Sequence, residues 1–303
     1  METDHGTVRE PDITRSLVSR LIATQFPEWS GLTVVPTEPD GWDNRTFRLG
    51  DDKLVRPPSA AAYAAQVEKE QRWLPALAPM LPLPIPSPVA MGEPGEGYSW
   101  RWSVYRWLDG EPATIEIIGD REQFARDLAT FLRALQRIDT AGGPRPGAHN
   151  FYRGGPVATY HCETRRAIAL LGDDIDADAA TAVWEAALAS VWLGPDVWVH
   201  GDVSAANLLV TDGELSAVID FGCSSVGDPA CDLTIAWTFL SGPSREVFRE
   251  AMTVDDATWA RAHGWALWKA LITVDWGDGA DARKTADARR VIDEVLADHH
   301  SVR

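Results

Sequence analysis

The chain has 303 residues, 45% of them hydrophobic, and carries a formal net charge of -17, from 28 Lys and Arg against 45 Asp and Glu. That is enough apolar content to fill one large core or two modest ones. The acidity argues against a nucleic-acid partner, because a phosphate backbone meets net repulsion where no basic stripe intervenes, and none is visible. The same acidity draws cationic small molecules at long range or is simply a solvated surface. Cys162, Cys223 and Cys231 are odd in number and follow no paired spacing, so neither a disulfide framework nor a zinc site is expected and a reducing cytoplasm fits. Charges at Asp4, Arg9, Glu10, Asp12, Arg15 and Arg20 interrupt the N-terminal stretch too often for a secretory leader. No later apolar run approaches membrane-spanning length, so a soluble, cytoplasmic protein with no membrane partner is expected.

In chain order, residues 12–26 place Ile13, Leu17, Leu21 and Val18, Ile22, Phe26 at helical spacing behind a capping Asp12. The period then changes to two: strands are predicted over 33–35, 45–49 and 53–56, with a turn over 38–43 and a tight turn at Gly50. Residues 59–77, with Tyr63, Val67, Glu70, Trp73 and Leu74, read as a helix crossing this antiparallel meander. Prolines recurring through 75–94 predict a stiff, extended connection without a ladder of its own. A strand over 100–105 leads to the Asp109-Gly110 turn, and everything beyond is mostly helical: 122–138, 164–171, 177–191, 244–252, 258–274 and 282–299. The expected fold is therefore α+β, with a small antiparallel-sheet N-lobe over 1–107 that includes the hinge, and a larger, mainly helical C-lobe over 108–303.

Two short strands interrupt the helices and hold the chemistry. The apolar run 197–199 enters a glycine turn ending at Asp202, and the runs 206–210 and 215–220 flank Asp212-Gly213, a hairpin signature. A hairpin brings Asn207, at its start, and Asp220, at its end, to the same edge beside Asp202. Each residue alone would read as a turn cap. Together they offer a few oxygen ligands, which suits Mg²⁺ because that ion keeps waters and takes its remaining ligands from phosphates. Phosphoryl transfer depends on this kind of positioning and charge neutralisation.

His200-Gly-Asp202-Val-Ser-Ala-Ala-Asn207 followed by Asp220-Phe-Gly resembles the catalytic and metal-binding motifs of the aminoglycoside phosphotransferase family, relatives of the eukaryotic-type protein kinases. The resemblance implies a two-lobed kinase-like fold with a nucleotide cleft between the lobes, and Mg²⁺ with ATP, or GTP in its place, as cofactors. It implies that Asp202 orients and deprotonates the acceptor hydroxyl, that Asn207 and Asp220 hold metal, and that His200 packs under the loop. Asp232, in Gly227-Asp-Pro-Ala-Cys-Asp232, is implied to anchor the catalytic loop, although an N-cap for a helix from Leu233 explains it as well. The family's third-strand lysine aligns with Arg56, paired with Glu70; a surface ion pair is the alternative, and arginine for lysine is not a conservative change. Lys53, three residues earlier, would face the other side of the sheet. Residues 41–45, including Asn44, would turn over the phosphates, and the base would lie against 104–107, where Tyr105 and Trp107 are equally explained as core aromatics and the strand-end backbone is free to bond it.

The acceptor is less defined. Trp237, Trp265, Trp268 and Trp276 read as core rather than sugar platforms; Asp275, Trp276 and Asp278 either recognise amino or hydroxyl groups or form a solvated helix end; and the loop 149–154 is a candidate lining of the acceptor site. The expected activity is ATP-dependent O-phosphorylation of a small-molecule hydroxyl, an aminoglycoside-type antibiotic first. A macrolide, a peptide antibiotic, or an amino alcohol or sugar comes next, Asn207 disfavouring the macrolide. A non-catalytic kinase-like nucleotide binder is the alternative of another class. A protein kinase is disfavoured because no Ala-Pro-Glu element follows Asp220-Phe-Gly.

Overall fold

The computed structural model describes residues 12–37, 43–275 and 282–301. The chain divides into two compact units, Met1–Pro79 with Ile85–Asp109, and Met80–Pro84 with Gly110–Arg303. Among the described residues no helix is long and apolar enough to cross a membrane.

The first unit is built on α1 (Arg15–Gln25), β1 (Val34–Pro36), β2 (Phe47–Leu49), β3 (Lys53–Arg56), α2 (Ala61–Leu77), β4 (Pro88–Gly92) and β5 (Trp102–Arg106). The strands form an antiparallel sheet in the order β1-β2-β3-β5-β4. Leu17, Val18, Leu21 and Ile22 recur at helical spacing on α1 and pack in one core with Phe47, Val55, Trp102 and Val104. The helix is capped by Thr14, whose hydroxyl accepts from Leu17 N at 3.2 Å, and not by Asp12, which lies too far upstream for its side chain to hold the third helical N–H.

The proline-rich connection is also corrected. Its last part, β4, pairs with β5, with a bulge between Pro88 and Ala90. An edge strand tolerates Pro88 because no outer neighbour needs its missing N–H. Gly92 is required there: a Cβ would lie 2.0 Å from the Trp102 ring.

The second unit contains β6 (Glu111–Pro112), α3 (Arg121–Gln136), α4 (His161–Leu171), α5 (Ala177–Ala189), β7 (Val197–Val199), β8 (Leu208–Thr211), β9 (Glu214–Val218), β10 (Ser225–Gly227), α6 (Ile235–Thr238), α7 (Pro243–Met252), α8 (Asp256–Asp275) and α9 (Ala282–Ser301). Asp120 caps α3 by accepting from Glu122 N and Gln123 N, both at 3.0 Å, and Phe124, Leu128, Phe131, Leu132 and Leu135 face inward. The helix α8 runs through the core, and Trp259, Trp265 and Trp268 on it are buried. At Gly264 a Cβ would meet Ala187 Cβ of α5 at 2.6 Å, which is how closely the two helices approach. Two small sheets, β6-β8-β9 and β10-β7, carry the loops of the site.

Candidate active site

The hairpin β8–β9 pairs Leu208 with Val218, and the ladder is extended by Ile219 N donating to Asn207 O at 2.9 Å. This register fixes Asn207 beside the chain that ends in Asp220. The Asn207 side chain points back to the preceding loop: its Nδ2 donates to Asp202 O at 2.9 Å and to Asp202 Oδ2 at 3.1 Å. Both amide hydrogens are thereby committed, which turns Oδ1 away as an available oxygen ligand. Asp220 takes a left-handed backbone, φ 66 and ψ 70, a conformation uncommon outside glycine that concentrates at functional sites. Asn207 Oδ1 and the Asp220 carboxylate are hard oxygen donors. Two protein oxygens leave most of a cation's shell to water and phosphate oxygens, which suits Mg²⁺. The donor set fits that ion.

The loop carrying Asp202 is held from below. Asp232, fully buried, accepts from His200 N at 2.8 Å and Gly201 N at 2.7 Å, one bond to each carboxylate oxygen. It lies inside a short 3-10 helix that Asp228, not Asp232, caps, so the N-cap explanation falls. Burial pushes the Asp232 carboxyl up from its ordinary range, opposed by the His200 ring and by the two N–H groups. His200 Nδ1 accepts from Asp202 N at 3.2 Å, which puts the ring hydrogen on Nε2, where it bonds Ile219 O at 3.0 Å. One buried imidazole thus ties the Asp202 loop to the segment leading into Asp220. Gly201 has φ +84, and a Cβ there would sit 2.4 Å from Cys223 O, so only glycine lets the loop lie against the chain that follows Asp220.

Two supporting groups escaped the sequence reading. Asn150, fully buried, donates to Arg153 O and Cys223 O and accepts from Gly147 N, fixing the loop 149–154 beneath Gly201. Arg261 of α8 grips Asp228 through Nε at 2.7 Å and Nη2 at 3.2 Å. A buried arginine and aspartate thirty-three residues apart leave no periodic signal; only the Gly-Asp-Pro turn hinted at one partner.

In the first unit, Arg56 Nη1 lies 4.0 Å from Glu70 Oε1, and both side chains are largely buried, so the pair is not a surface ion pair. The Tyr105 hydroxyl donates to Glu70 Oε2. Burial and the Glu70 charge push the Tyr105 phenol well above its ordinary range, keeping it a donor. Tyr105 is 1% exposed, so its ring is core and offers no face to a base. The expected free backbone is corrected in part: Arg106 N and Trp107 N already donate to Ser87 O at 2.9 Å and Asp52 O at 2.8 Å. The Trp107 ring is partly exposed and stacks under Arg48, 4.5 Å away. Asn44 is buried in a bridge to Pro58, and Asp43 O accepts from both Ser59 N and Ser59 Oγ. Lys53 instead pairs with Asp52 at 2.7 Å. Gly41, Trp42, Trp276 and Asp278 lie outside the described residues, as does the Asp275 side chain.

Within the second unit a cavity of about 760 Å³ opens against Asp202. Gly201, Val203 and Ser204 line it beside Asp202, and Arg153, Trp265, Thr238 and Phe239 are among its other lining residues. Of the loop 149–154, only Arg153 lines this cavity; His149 bonds its own turn at Arg145 O.

A phosphotransferase enzyme family model matches residues 37–265. An aminoglycoside 3'-phosphotransferase of Escherichia coli is 38% identical over 73 residues, 22% of this chain and 27% of that protein, so the chain spans about a quarter of the length of the curated relative it matches. Among solved structures, the GDP complex of aminoglycoside 2'-phosphotransferase-IIIa superposes with a TM-score of 0.72 at 18% identity, covering 95% of this chain and all of that one. The macrolide 2'-phosphotransferase of Brachybacterium faecium superposes at 0.60 with 22% identity, covering 91% and 97%. Likeness at these identities is one of fold, the kinase-like α+β architecture. The family model covers most of the sequence, including every residue from Arg56 to Asp232 discussed above, and the chain belongs to the phosphotransferase enzyme family.

Proposed function

We propose that this protein is a cytoplasmic small-molecule kinase that transfers the γ-phosphoryl group of ATP, with Mg²⁺, to an alcohol. The observation that carries the reading is the Asn207 amide holding both the backbone and the carboxylate of Asp202 while the hairpin sets Asp220 alongside. Asn207 occupies one oxygen of Asp202, and the other accepts the proton of the acceptor hydroxyl as its oxygen bonds to the γ-phosphorus. The bond from that phosphorus to the β-bridging oxygen breaks, and ADP leaves. Mg²⁺, held by Asn207 Oδ1 and Asp220, would supply neutralisation of phosphate charge. His200 and Asp232 keep the loop in register, and in the first unit Arg56, positioned by Glu70 and Tyr105, is the candidate to grip phosphate, through its planar fork of N–H donors.

The relatives are named for aminoglycosides and macrolides, which places aminoglycosides first among acceptors to try, followed by macrolides, peptide antibiotics, sugars and amino alcohols. The test is acceptor-dependent ADP release across that panel with Mg-ATP or Mg-GTP, with Asp202→Ala as control. A hit that disappears in the control supports the reading. ADP release that persists in Asp202→Ala contradicts it.

A further inference from the structure

The cavity against Asp202 is charged in the opposite sense to the chain around it. Among its described residues, five cations line it: Arg153, Lys269, Arg283, Lys284 and Arg290. Three carboxylates face them, Glu116, Asp202 and Asp287. In a chain of 45 acidic and 28 basic residues, an unselected surface would show the reverse balance. Two of the chain's four lysines are here.

Arg153 is the cation that the protein leaves unanswered. Its guanidinium lies 5.1 Å from the ring centroids of both Trp265 and Trp268. Its Nε is buried with no hydrogen-bond partner, and among the described residues the guanidinium forms no ion pair. Arg290, by contrast, donates to the carbonyls of Trp237 and Thr238 at 3.3 and 2.9 Å. The nearby Asp232 senses the Arg153 charge, but its oxygens are taken by His200 N and Gly201 N. The two indoles stand at 80° to each other, so they wall the guanidinium on two sides and supply no acceptor, and a partly buried guanidinium without one is held at a cost. What would satisfy it is an oxyanion, which a planar, positioned arginine binds through paired N–H groups.

We propose that Arg153 recognises an oxyanionic group, a carboxylate or a phosphate ester, on the small molecule that enters this cavity, so that the acceptor is a hydroxylated acid. The statement about the hydroxyl rests on the phosphotransferase reading; the anion site does not. This departs from the aminoglycosides that the relatives' names put first in the panel: a polycationic aminoglycoside offers Arg153 no partner, whereas a hydroxy acid, sugar acid or phosphorylated polyol does.

The test uses four probes on one six-carbon polyol scaffold: D-sorbitol, D-gluconate, D-sorbitol 6-phosphate and D-glucamine, which is cationic. Their binding to the full chain is measured by calorimetry, and ADP release with Mg-ATP is recorded separately for each. The expected result is binding of gluconate or sorbitol 6-phosphate at least about tenfold tighter than sorbitol, with glucamine weakest; which of the two anions wins identifies the group. Arg153→Gln should bring the favoured anion to the level of sorbitol, and Arg153→Lys, which keeps charge without the fork, should fall between. Equal binding of all four, a preference for glucamine, or an equal loss for every probe in Arg153→Gln would overturn the proposal. Anion-selective binding lost in Arg153→Gln, with no ADP release from any acceptor in this set or the wider panel, would leave the anion site standing and count against the phosphotransferase reading instead.

Discussion

Asp232→Asn isolates the support beneath the Asp202 loop. The carboxylate gives one oxygen to His200 N and the other to Gly201 N, in a site with no solvent access. Asparagine keeps the shape and one acceptor but aims an NH₂ at the second backbone N–H, leaving a buried donor unpaired, which costs about 1–3 kcal/mol, with a further cost of similar size for exchanging a charged acceptor for a neutral one. Burial works against the charged form of Asp232, so removing the charge returns part of that loss. A net destabilisation of about 2 kcal/mol is expected, a fall of roughly 4–8 °C in thermal midpoint for a unit of this size. The same change frees His200 and Gly201 to shift relative to Asp202, so kcat for phosphoryl transfer should fall by about tenfold or more while Mg-ATP affinity stays near wild type. Thermal melts and steady-state ADP release measure both. A wild-type midpoint together with wild-type kcat would refute the anchoring role.

Gly201→Ala should be worse than its size suggests, because the new Cβ would lie 2.4 Å from Cys223 O on a backbone at φ +84; a loss of about 2 kcal/mol or more in stability and a collapse of turnover are expected, read by melts and ADP release. Arg56→Lys, which keeps charge but loses the fork, should raise KM for Mg-ATP less than Arg56→Ala does, with Glu70 still held by Tyr105; equal effects would remove Arg56 from the phosphate site. The core of the second unit should weaken on acidification in two stages. Burial lowers the His263 pKa, so the unfolded chain binds that proton more readily, and stability is lost as pH falls below about 6.5, the unfolded value. Burial raises the Asp298 carboxyl pKa, but His263 and two tryptophan N–H groups outweigh it and hold it down to about 2, so its contribution to stability is present above about pH 4 and lost as pH falls towards 2. Melts from pH 7 to pH 3 of wild type and His263→Gln check this; the first stage should be absent in the variant.

The hairpin around Asp212-Gly213 was legible because turn chemistry and alternation agree there, and it carried Asn207 and Asp220 to one edge without any tertiary information. The sheet of the first unit was legible for the same reason, except at β4, where prolines outweighed a pairing that only the neighbouring strand decides. The strands β6 and β10 span two and three residues, too short for any period to register. Asp232 could be named from its motif, but its two bonds to the loop of Asp202 depend on a contact thirty residues away. Arg153 lay in the loop 149–154 that composition singled out, but its setting is identified only by two tryptophans more than a hundred residues downstream; Arg261 gave no signal at all, its partner being a buried aspartate in a different element. Tyr105, which position alone left open between the base and the core, is decided by burial: it is core, and its hydroxyl serves Glu70.

The most direct test of the central claim compares Asp202→Ala with Asp220→Ala in two assays, Mg-ATP affinity by calorimetry and acceptor-dependent ADP release. The account predicts that Asp202→Ala abolishes transfer with Mg-ATP affinity retained, while Asp220→Ala loses the metal-dependent part of nucleotide binding. Equal loss of Mg-ATP affinity in both variants, or metal-dependent binding unchanged in Asp220→Ala, would contradict the division of roles between the two carboxylates.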